Sequence, residues 1–133
     1  MNKITWDFIE PLKSPTIIDV FEQRYSHKIP TTLKSLILES NGGYPDKDVF
    51  DKPRRGMVFS HLLSFNESSA ERVYLFPPLF EKENGLSMFP FATDGFGNLI
   101  CEEDGKIVFW RHETEELELV ADSIEELLNS LHS

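Results

Sequence analysis

An Asp-Gly pair in the second half of the chain constrains the fold more than any other sequence feature. Asp104-Gly105 favours a two-residue hairpin turn, because both central positions of that turn need a positive φ that this pair adopts at little steric cost. The turn predicts that Glu103 faces Lys106 across two antiparallel strands. Three further predicted pairs are apolar: Cys101 with Val108, Leu99 with Trp110, and Ile100 with Phe109.

A second predicted turn extends this hairpin into a meander. If residues 113–116 form the turn, Arg111 faces Glu118, so the charged pair again has opposite signs. The same register pairs Trp110 with Leu119 and Phe109 with Val120. Each such cross-strand pair contributes roughly 0.2–1 kcal/mol. We therefore expect successive antiparallel strands in the second half of the chain, entered from a strand that contains "MFPFAT".

Three other segments have helical periodicity. Ser14 is the expected N-cap of the first, and Asn41 and Gly42 are expected to end the second in left-handed conformations. Ser123 and Glu126 have capping-box spacing at the start of the third. The residues expected to share one side of each helix are, helix by helix, Ile17, Val20, Phe21 and Arg24; Leu33, Leu36, Ile37 and Ser40; and Ile124, Leu127, Leu128 and Leu131.

Length and composition indicate a single α+β domain over residues 1–133. The 133 residues are 40% hydrophobic, which is enough to bury a core, and no linker or internal repeat divides them. No stretch approaches the roughly 18 consecutive apolar residues of a membrane span, and the first residues lack the features of a signal peptide. We expect a cytoplasmic protein that does not bind membranes.

The acidic charge is concentrated near the C-terminus. The net charge is -10, and residues 94–133 carry 11 acidic residues but only Lys106 and Arg111 as bases. Nucleic acid binding requires basic residues that neutralise phosphates, so this half of the chain would repel nucleic acid. A cationic protein partner is one interpretation of these acids. The other is that they only keep the protein soluble.

The residues typical of catalytic and metal sites do not form a recognisable pattern. The four histidines are far apart in sequence, and none belongs to a metal-binding motif: His27, His61, His112 and His132. Cys101 lies in an alternating strand pattern that favours burial over reactivity. Neighbouring carboxylates at Glu102 and Glu103 point to opposite faces of a strand. We expect no catalytic, cofactor or metal site, and hence no enzyme.

The glycine-rich sequence "DGFGN" at residues 94–98 predicts a turn between two strands. Gly95 and Gly97 allow backbone conformations that a side chain would resist. A dinucleotide-binding loop would need a third glycine where Ile100 stands, followed by a helix instead of a strand. The motif is therefore interpreted as structural.

Two segments together resemble the SUKH superfamily. "IPTTLKSLILESNGGYP" is similar to the first signature of that superfamily, and "FPFATDGFGNLICEEDGKIVFWRHE" is similar to the second. The matching positions are Pro30, Asn41, Gly42, Gly43, Phe91, Ala92, Asp94, Gly95, Gly97, Asn98, Phe109 and Trp110. The resemblance implies a central, antiparallel-rich sheet with a C-terminal meander, flanked by N-terminal helices and a C-terminal helix.

The resemblance also implies a binding function. Bacterial members of the superfamily are mostly immunity proteins that bind and block a cognate toxin domain, often a nuclease, and another branch includes a fungal regulator of cell-wall synthesis. The shared motifs carry no catalytic residues, so we interpret the matching positions as determinants of the fold.

We therefore hypothesise a toxin-neutralising protein that binds a cationic toxin domain through an acidic surface. The alternative is a regulatory scaffold with a partner that is not a toxin. Monomer and dimer both fit the sequence. The candidate partner-binding residues are Glu102, Glu103, Asp104, Glu113, Glu115, Glu116 and Glu118.

Overall fold

The chain forms an α+β fold, as predicted. The computed structural model describes residues 3–14, 16–66, 80–82 and 85–133. Within these residues the helices are α1 (Ile17–Tyr25), α2 (Thr31–Ser40) and α3 (Ile124–Ser130). The main antiparallel sheet consists of β5 (His61–Leu62), β8 (Phe89–Thr93), β9 (Leu99–Glu103), β10 (Lys106–Trp110) and β11 (Leu117–Ala121).

The main sheet has the strand order β11-β10-β9-β8-β5, so β8 to β11 form a meander in chain order. Three short antiparallel ribbons complete the described strands: β1 (Trp6–Asp7) with β2 (Tyr44–Pro45), β3 (Val49–Phe50) with β4 (Met57–Val58), and β6 (Glu81–Lys82) with β7 (Gly85–Leu86).

The hairpin between β9 and β10 has the predicted turn and register. Asp104 and Gly105 adopt φ values of 50° and 85°, which are the positive angles that the two-residue turn requires. All predicted pairs between these strands are confirmed, from Glu103 with Lys106 to Leu99 with Trp110.

The predicted register between β10 and β11 is wrong by two residues at the end next to their loop. Trp110 pairs with Leu117 and not with Leu119, and Phe109 pairs with Glu118 and not with Val120. The physical reason is a turn that starts one residue earlier than predicted: the Arg111 amide donates to the Glu116 carbonyl at 3.0 Å, so Arg111 is opposite Glu116 and the turn comprises residues 112–115. A shift of two residues keeps each side chain on its predicted face of the sheet.

The first helix differs from its prediction in both its start and its buried face. Thr16, and not Ser14, is the N-cap of α1, because the Ser14 carbonyl closes a separate turn with the Ile17 amide at 3.4 Å. Its buried residues are Ile18, Phe21 and Tyr25, whereas Val20 and Arg24 are exposed. Both stripes have helical spacing, but the observed one buries two aromatic rings and leaves the guanidinium in water.

The other two helices agree better with the sequence. Leu33, Ile37 and Ser40 are buried on α2, with Leu36 packed at the edge of the core. Ser123 caps α3 by accepting a hydrogen bond from the Glu126 amide at 3.0 Å. Of the two residues expected to end α2, Gly42 is left-handed with φ 72°, whereas Asn41 is not, with φ -44°.

An aromatic cluster joins α1 to the sheet. The Phe21 ring lies 5.2 Å, between centroids, from both Phe65 and Phe89. All three side chains are almost fully buried. Burying one phenylalanine contributes about 1.5–3 kcal/mol, so this cluster is a major source of the stability that attaches the helix to the sheet.

Glu102 connects the hairpin tip to α1 and is not a surface residue. Its side chain is only 3% exposed, and its Oε1 lies 2.7 Å from Nε2 of His27, just beyond the end of α1. Its Oε2 accepts a hydrogen bond from the Gly105 amide at 2.9 Å. Glu102 is therefore poorly placed for the partner contact that the sequence had suggested, because both of its oxygens accept hydrogen bonds inside the protein.

Replacing Glu102 tests this connection. We expect Glu102→Ala to lower the free energy of unfolding by about 3 kcal/mol, because it leaves the His27 ring and the Gly105 amide without their acceptor. Glu102→Gln should cost less, since an amide oxygen still accepts from Gly105. Urea unfolding followed by fluorescence measures both. Glu103→Ala, on the opposite strand face, is the control, with a change within about 0.5 kcal/mol; equal losses for Glu102 and Glu103 would contradict the interpretation.

A second polar connection ties the C-terminus to the β3–β4 ribbon. The backbones of Val49 and His132 exchange two hydrogen bonds of 2.9 Å. Nε2 of His132 lies 2.7 Å from Oδ2 of Asp51, whose Oδ1 accepts from the Gly56 amide at 2.8 Å. The Gly56 bond and then the His132 bond lower the pKa of Asp51. The Asp51 bond raises the pKa of His132, with a smaller contribution from the Ser133 carbonyl.

These shifts predict a pH window for the C-terminal connection. The raised pKa of His132 gives a stabilisation that is complete below about pH 6.5 and is lost as the pH rises through the folded-state pKa. The lowered pKa of Asp51 gives a second stabilisation, which is complete above about pH 4 and is lost as the pH falls through the folded-state pKa. An NMR titration should give His132 a pKa above that of an exposed histidine, and Asp51→Asn should lower it. An identical His132 titration in both proteins would disprove the pairing.

Candidate functional site

The structure separates the predicted partner-binding acids into two groups. The hairpin between β9 and β10 lies at one end of β10, and the loop between β10 and β11 lies at the other. β10 has five residues and spans about 17 Å at roughly 3.3 Å per residue. We call Glu103 and Asp104 the tip acids, and Glu113, Glu115 and Glu116 the loop acids. The two groups lie at opposite ends of the sheet and do not form one continuous patch.

The loop acids project from a backbone held in one conformation. The Glu115 amide donates to the Arg111 carbonyl at 2.7 Å, and the Glu116 amide donates to Oγ1 of Thr114 at 3.3 Å. Glu115 is left-handed, with φ 61°, which turns the chain back towards β11. All three carboxylates are exposed, and in the described part of the chain none forms an ion pair. The loop therefore presents three uncompensated negative charges.

Glu118 belongs to the predicted set but has a different environment. Its Oε1 accepts hydrogen bonds of 2.8 Å from both Nη2 of Arg54 and Nε of Arg111, and its Oε2 accepts from Nη1 of Arg54. The predicted Arg111–Glu118 ion pair thus exists, although the two residues are not directly opposite in the register. Two guanidinium groups compensate this carboxylate, so Glu118 adds little negative potential to the surface.

A shallow basic depression lies beside the loop acids. It has a volume of about 280 Å³, and Arg54, Arg55 and Arg111 line it above the buried ring of Phe109. Phe96, at the tip of the "DGFGN" turn, is exposed at its rim. The surface at this end of the sheet is therefore of mixed charge, with an exposed aromatic ring.

Asp104, one of the two tip acids, borders a larger groove. The groove has a volume of about 470 Å³ and separates the α1–α2 connection, residues 26–30, and the start of α2 from the hairpin tip. Asp104 is exposed at its edge, while the buried Glu102 lies in its wall. Because Ile107 pairs with Ala121, the exposed Asp122 lies at this same end of the sheet.

The motif residues at the end of α2 form a buried hydrogen-bond centre. Oδ1 of Asn41 accepts from the Phe65 amide at 2.9 Å, and its Nδ2 donates to the Glu10 carbonyl and to Oγ of Ser64. At Gly43 a Cβ would stand 2.8 Å from the Ser40 carbonyl oxygen, which is too close for any side chain. Pro30 immediately precedes α2.

The "DGFGN" motif is also stabilised internally. Oδ1 of Asp94 accepts from the Phe96 and Asn98 amides at 2.8 and 3.2 Å, and its Oδ2 accepts from Nδ2 of Asn98 at 2.8 Å. Gly95 and Gly97 have φ values of 85° and 92°. These bonds engage both Asp94 oxygens in closing the turn. Four further motif residues belong to the hydrophobic core: Phe91, Ala92, Phe109 and Trp110.

The described residues that could support catalysis do not have the environments that a nucleophile or a metal site requires. Cys101 is fully buried, and desolvation raises the pKa of its thiol, which disfavours the reactive thiolate. In residues 3–14, 16–66, 80–82 and 85–133, no three His, Cys, Asp or Glu side chains come together as metal ligands. No helix in those same ranges has the length and apolar character needed to cross a bilayer.

Sequence reasoning missed two features of this surface. The ion pair between Arg54 and Glu118 joins residues 64 positions apart, and the mixed charge of residues 51–55 did not indicate a partner for either. The burial of Glu102 had a signal: it lies two residues from Ile100 and opposite Ile107, so the predicted register already placed it on an apolar face.

Comparison with protein families gives a match over most of the chain. The model of the SMI1 / KNR4 family (SUKH-1) matches residues 14–130, which include both motif segments and all described strands of the main sheet. Comparison with curated proteins gives no match. On the extent of the family match, the chain belongs to the SMI1 / KNR4 family (SUKH-1).

Proposed function

We propose that this chain is an immunity protein, a non-catalytic binding protein that neutralises a cognate bacterial toxin domain. The family is associated with toxin immunity, which supports the general class of function. The observation that carries the proposal for this chain is the set of loop acids, Glu113, Glu115 and Glu116, which are exposed without ion-pair partners among the described residues.

The loop acids fit a cationic partner better than a neutral one. Uncompensated carboxylates on a fixed loop attract positive charge and raise the rate of association with a basic surface. A toxin that acts on nucleic acid needs such a surface to hold phosphates. Covering it with an acidic protein would block the access of the substrate. A nuclease domain is therefore the partner that this charge distribution fits best.

Aromatic and arginine side chains next to the loop acids can provide short-range contacts with a partner, in addition to the attraction between charges. Exposed aromatic rings and arginines are the residues that contribute most to binding energy at protein interfaces. Phe96, Arg55 and Arg111 lie within one depression beside the loop acids. We place the interface at this end of the sheet, with the tip acids as a separate and secondary surface.

Capture from a lysate of the native organism tests the function. The purified chain is immobilised, proteins are bound at low salt and eluted at moderate salt, and the eluted proteins are identified. We expect one dominant basic protein that is toxic when expressed alone and harmless when this chain is expressed with it. Several partners, none of them toxic, would instead support a regulatory scaffold and contradict the immunity role.

Charge reversal tests the position of the interface. Replacing Glu113, Glu115 and Glu116 together with lysine should slow association with the captured toxin by about tenfold or more at low salt, and by less at high salt. Surface plasmon resonance measures the association rate at both salt concentrations. The matched control reverses three exposed acids elsewhere, Asp7, Glu39 and Asp48, so that the net charge is identical. Equal slowing in both variants would mean that only bulk charge matters and would refute a local interface.

A further inference from the structure

Among the described residues, β11 is an edge strand of the main sheet. β11 is the last strand in the order β11-β10-β9-β8-β5, and among the described residues no strand pairs with its other side. An open strand edge presents unpaired amide and carbonyl groups that can bind another strand.

The hydrogen-bond register determines which residues face that edge. The Arg111 amide donates to the Glu116 carbonyl, so Glu116 directs its backbone groups towards β10. Antiparallel pairs alternate, and Glu118 opposite Phe109 therefore also faces β10. Leu117 and Leu119 consequently direct their N–H and C=O groups outward, away from the sheet.

The same two residues also expose their side chains. Leu117 is 48% exposed and Leu119 is 53% exposed, although both lie on strand positions. Their side chains point to one face of the sheet, because they are two residues apart on β11. This segment thus combines free backbone groups with an apolar surface. A partner strand would satisfy the first and cover the second.

Charge indicates which kind of strand fits. A second copy of this chain has the same net charge of -10 and would bring the same loop acids to this edge, and like charges across a strand pair are destabilising. A segment with alternating apolar and basic side chains avoids this repulsion. Its apolar side chains would pack on the two leucines, and its basic ones would approach Glu116 and the other loop acids.

We propose that β11 binds an extended segment of the partner, with alternating apolar and basic residues, as an additional strand. The identification of that partner as the toxin domain rests on the proposed function. Main-chain hydrogen bonds to Leu117 and Leu119 hold the segment, and the alternate side chains select it.

Amide hydrogen exchange of the full chain tests the open edge. In the free protein the Leu117 and Leu119 amides should exchange rapidly, while the Glu118 amide between them is protected. A short synthetic peptide of alternating lysine and valine is the probe. At saturation it should slow the exchange of both leucine amides by about tenfold or more. Protection of these amides in the free chain, or no added protection with the peptide, would overturn the proposal.

Variants separate strand addition from general hydrophobic binding. Leu119→Pro removes an outward N–H, which an edge strand tolerates, and Leu119→Lys keeps that N–H but replaces the apolar side chain with a charge. Both should weaken peptide binding by about tenfold, as measured by calorimetry. Leu38→Lys is the matched control, because Leu38 is 54% exposed but lies on α2. Equal weakening by Leu38→Lys and Leu119→Lys would overturn the proposal.

Failure of strand addition and failure of the immunity role give different experimental results. A captured toxin that this chain neutralises without protecting Leu117 and Leu119 would overturn strand addition and leave immunity in place. Peptide addition at β11 without any toxic partner would support the strand site and contradict immunity.

Discussion

The register between β9 and β10 is the constraint on which the rest of the sheet depends. Asp104 and Gly105 both adopt positive φ, so the loop contains two residues and the pairing on either side has no freedom to slip. A slip of one residue would turn Ile100 and Phe109 from one face to the other. The same register brings the Gly105 amide to the Glu102 carboxylate, which in turn reaches His27. The position of α1 against the sheet therefore depends in part on this turn.

Buried polar side chains at the family motifs complete the connections that hydrophobic packing leaves loose. The Asn41 side chain bonds two other chain segments at once, and Asp94 uses both oxygens to close a glycine-rich turn. A buried polar group that loses its partner costs free energy, so these residues specify one arrangement of segments that apolar contacts alone would leave variable. Their role agrees with the interpretation of the motif positions as determinants of the fold.

The sheet also organises the surface. It carries the loop acids on one end and the tip acids on the other, and in the described part of the chain no strand pairs with the outer edge of β11 near the loop acids. The Arg54–Glu118–Arg111 cluster compensates one carboxylate of the predicted set, and burial removes another from the surface. What remains near β11 is an edge with exposed leucines and a loop with free negative charge. These features support a binding role that depends on shape and charge.

The sequence by itself determined the elements whose signals are local. The hairpin at Asp104-Gly105, the cap at Ser123 and the turn at "DGFGN" were predictable because backbone conformation at these positions depends on the residues themselves. The choice between two helical stripes on α1 was not, since both have the same period and only packing against Phe65 and Phe89 distinguishes them.

Only the tertiary structure decided which acidic residues are available to a partner. Glu102 and Glu103 are neighbours in sequence, but Glu102 pairs inside the protein with His27, which is 75 positions away. Arg54 likewise compensates Glu118 across 64 positions. The physical reason is that the charge of a carboxylate at the surface depends on burial and on its ion-pair partners, and both are set by segments that are distant in the chain.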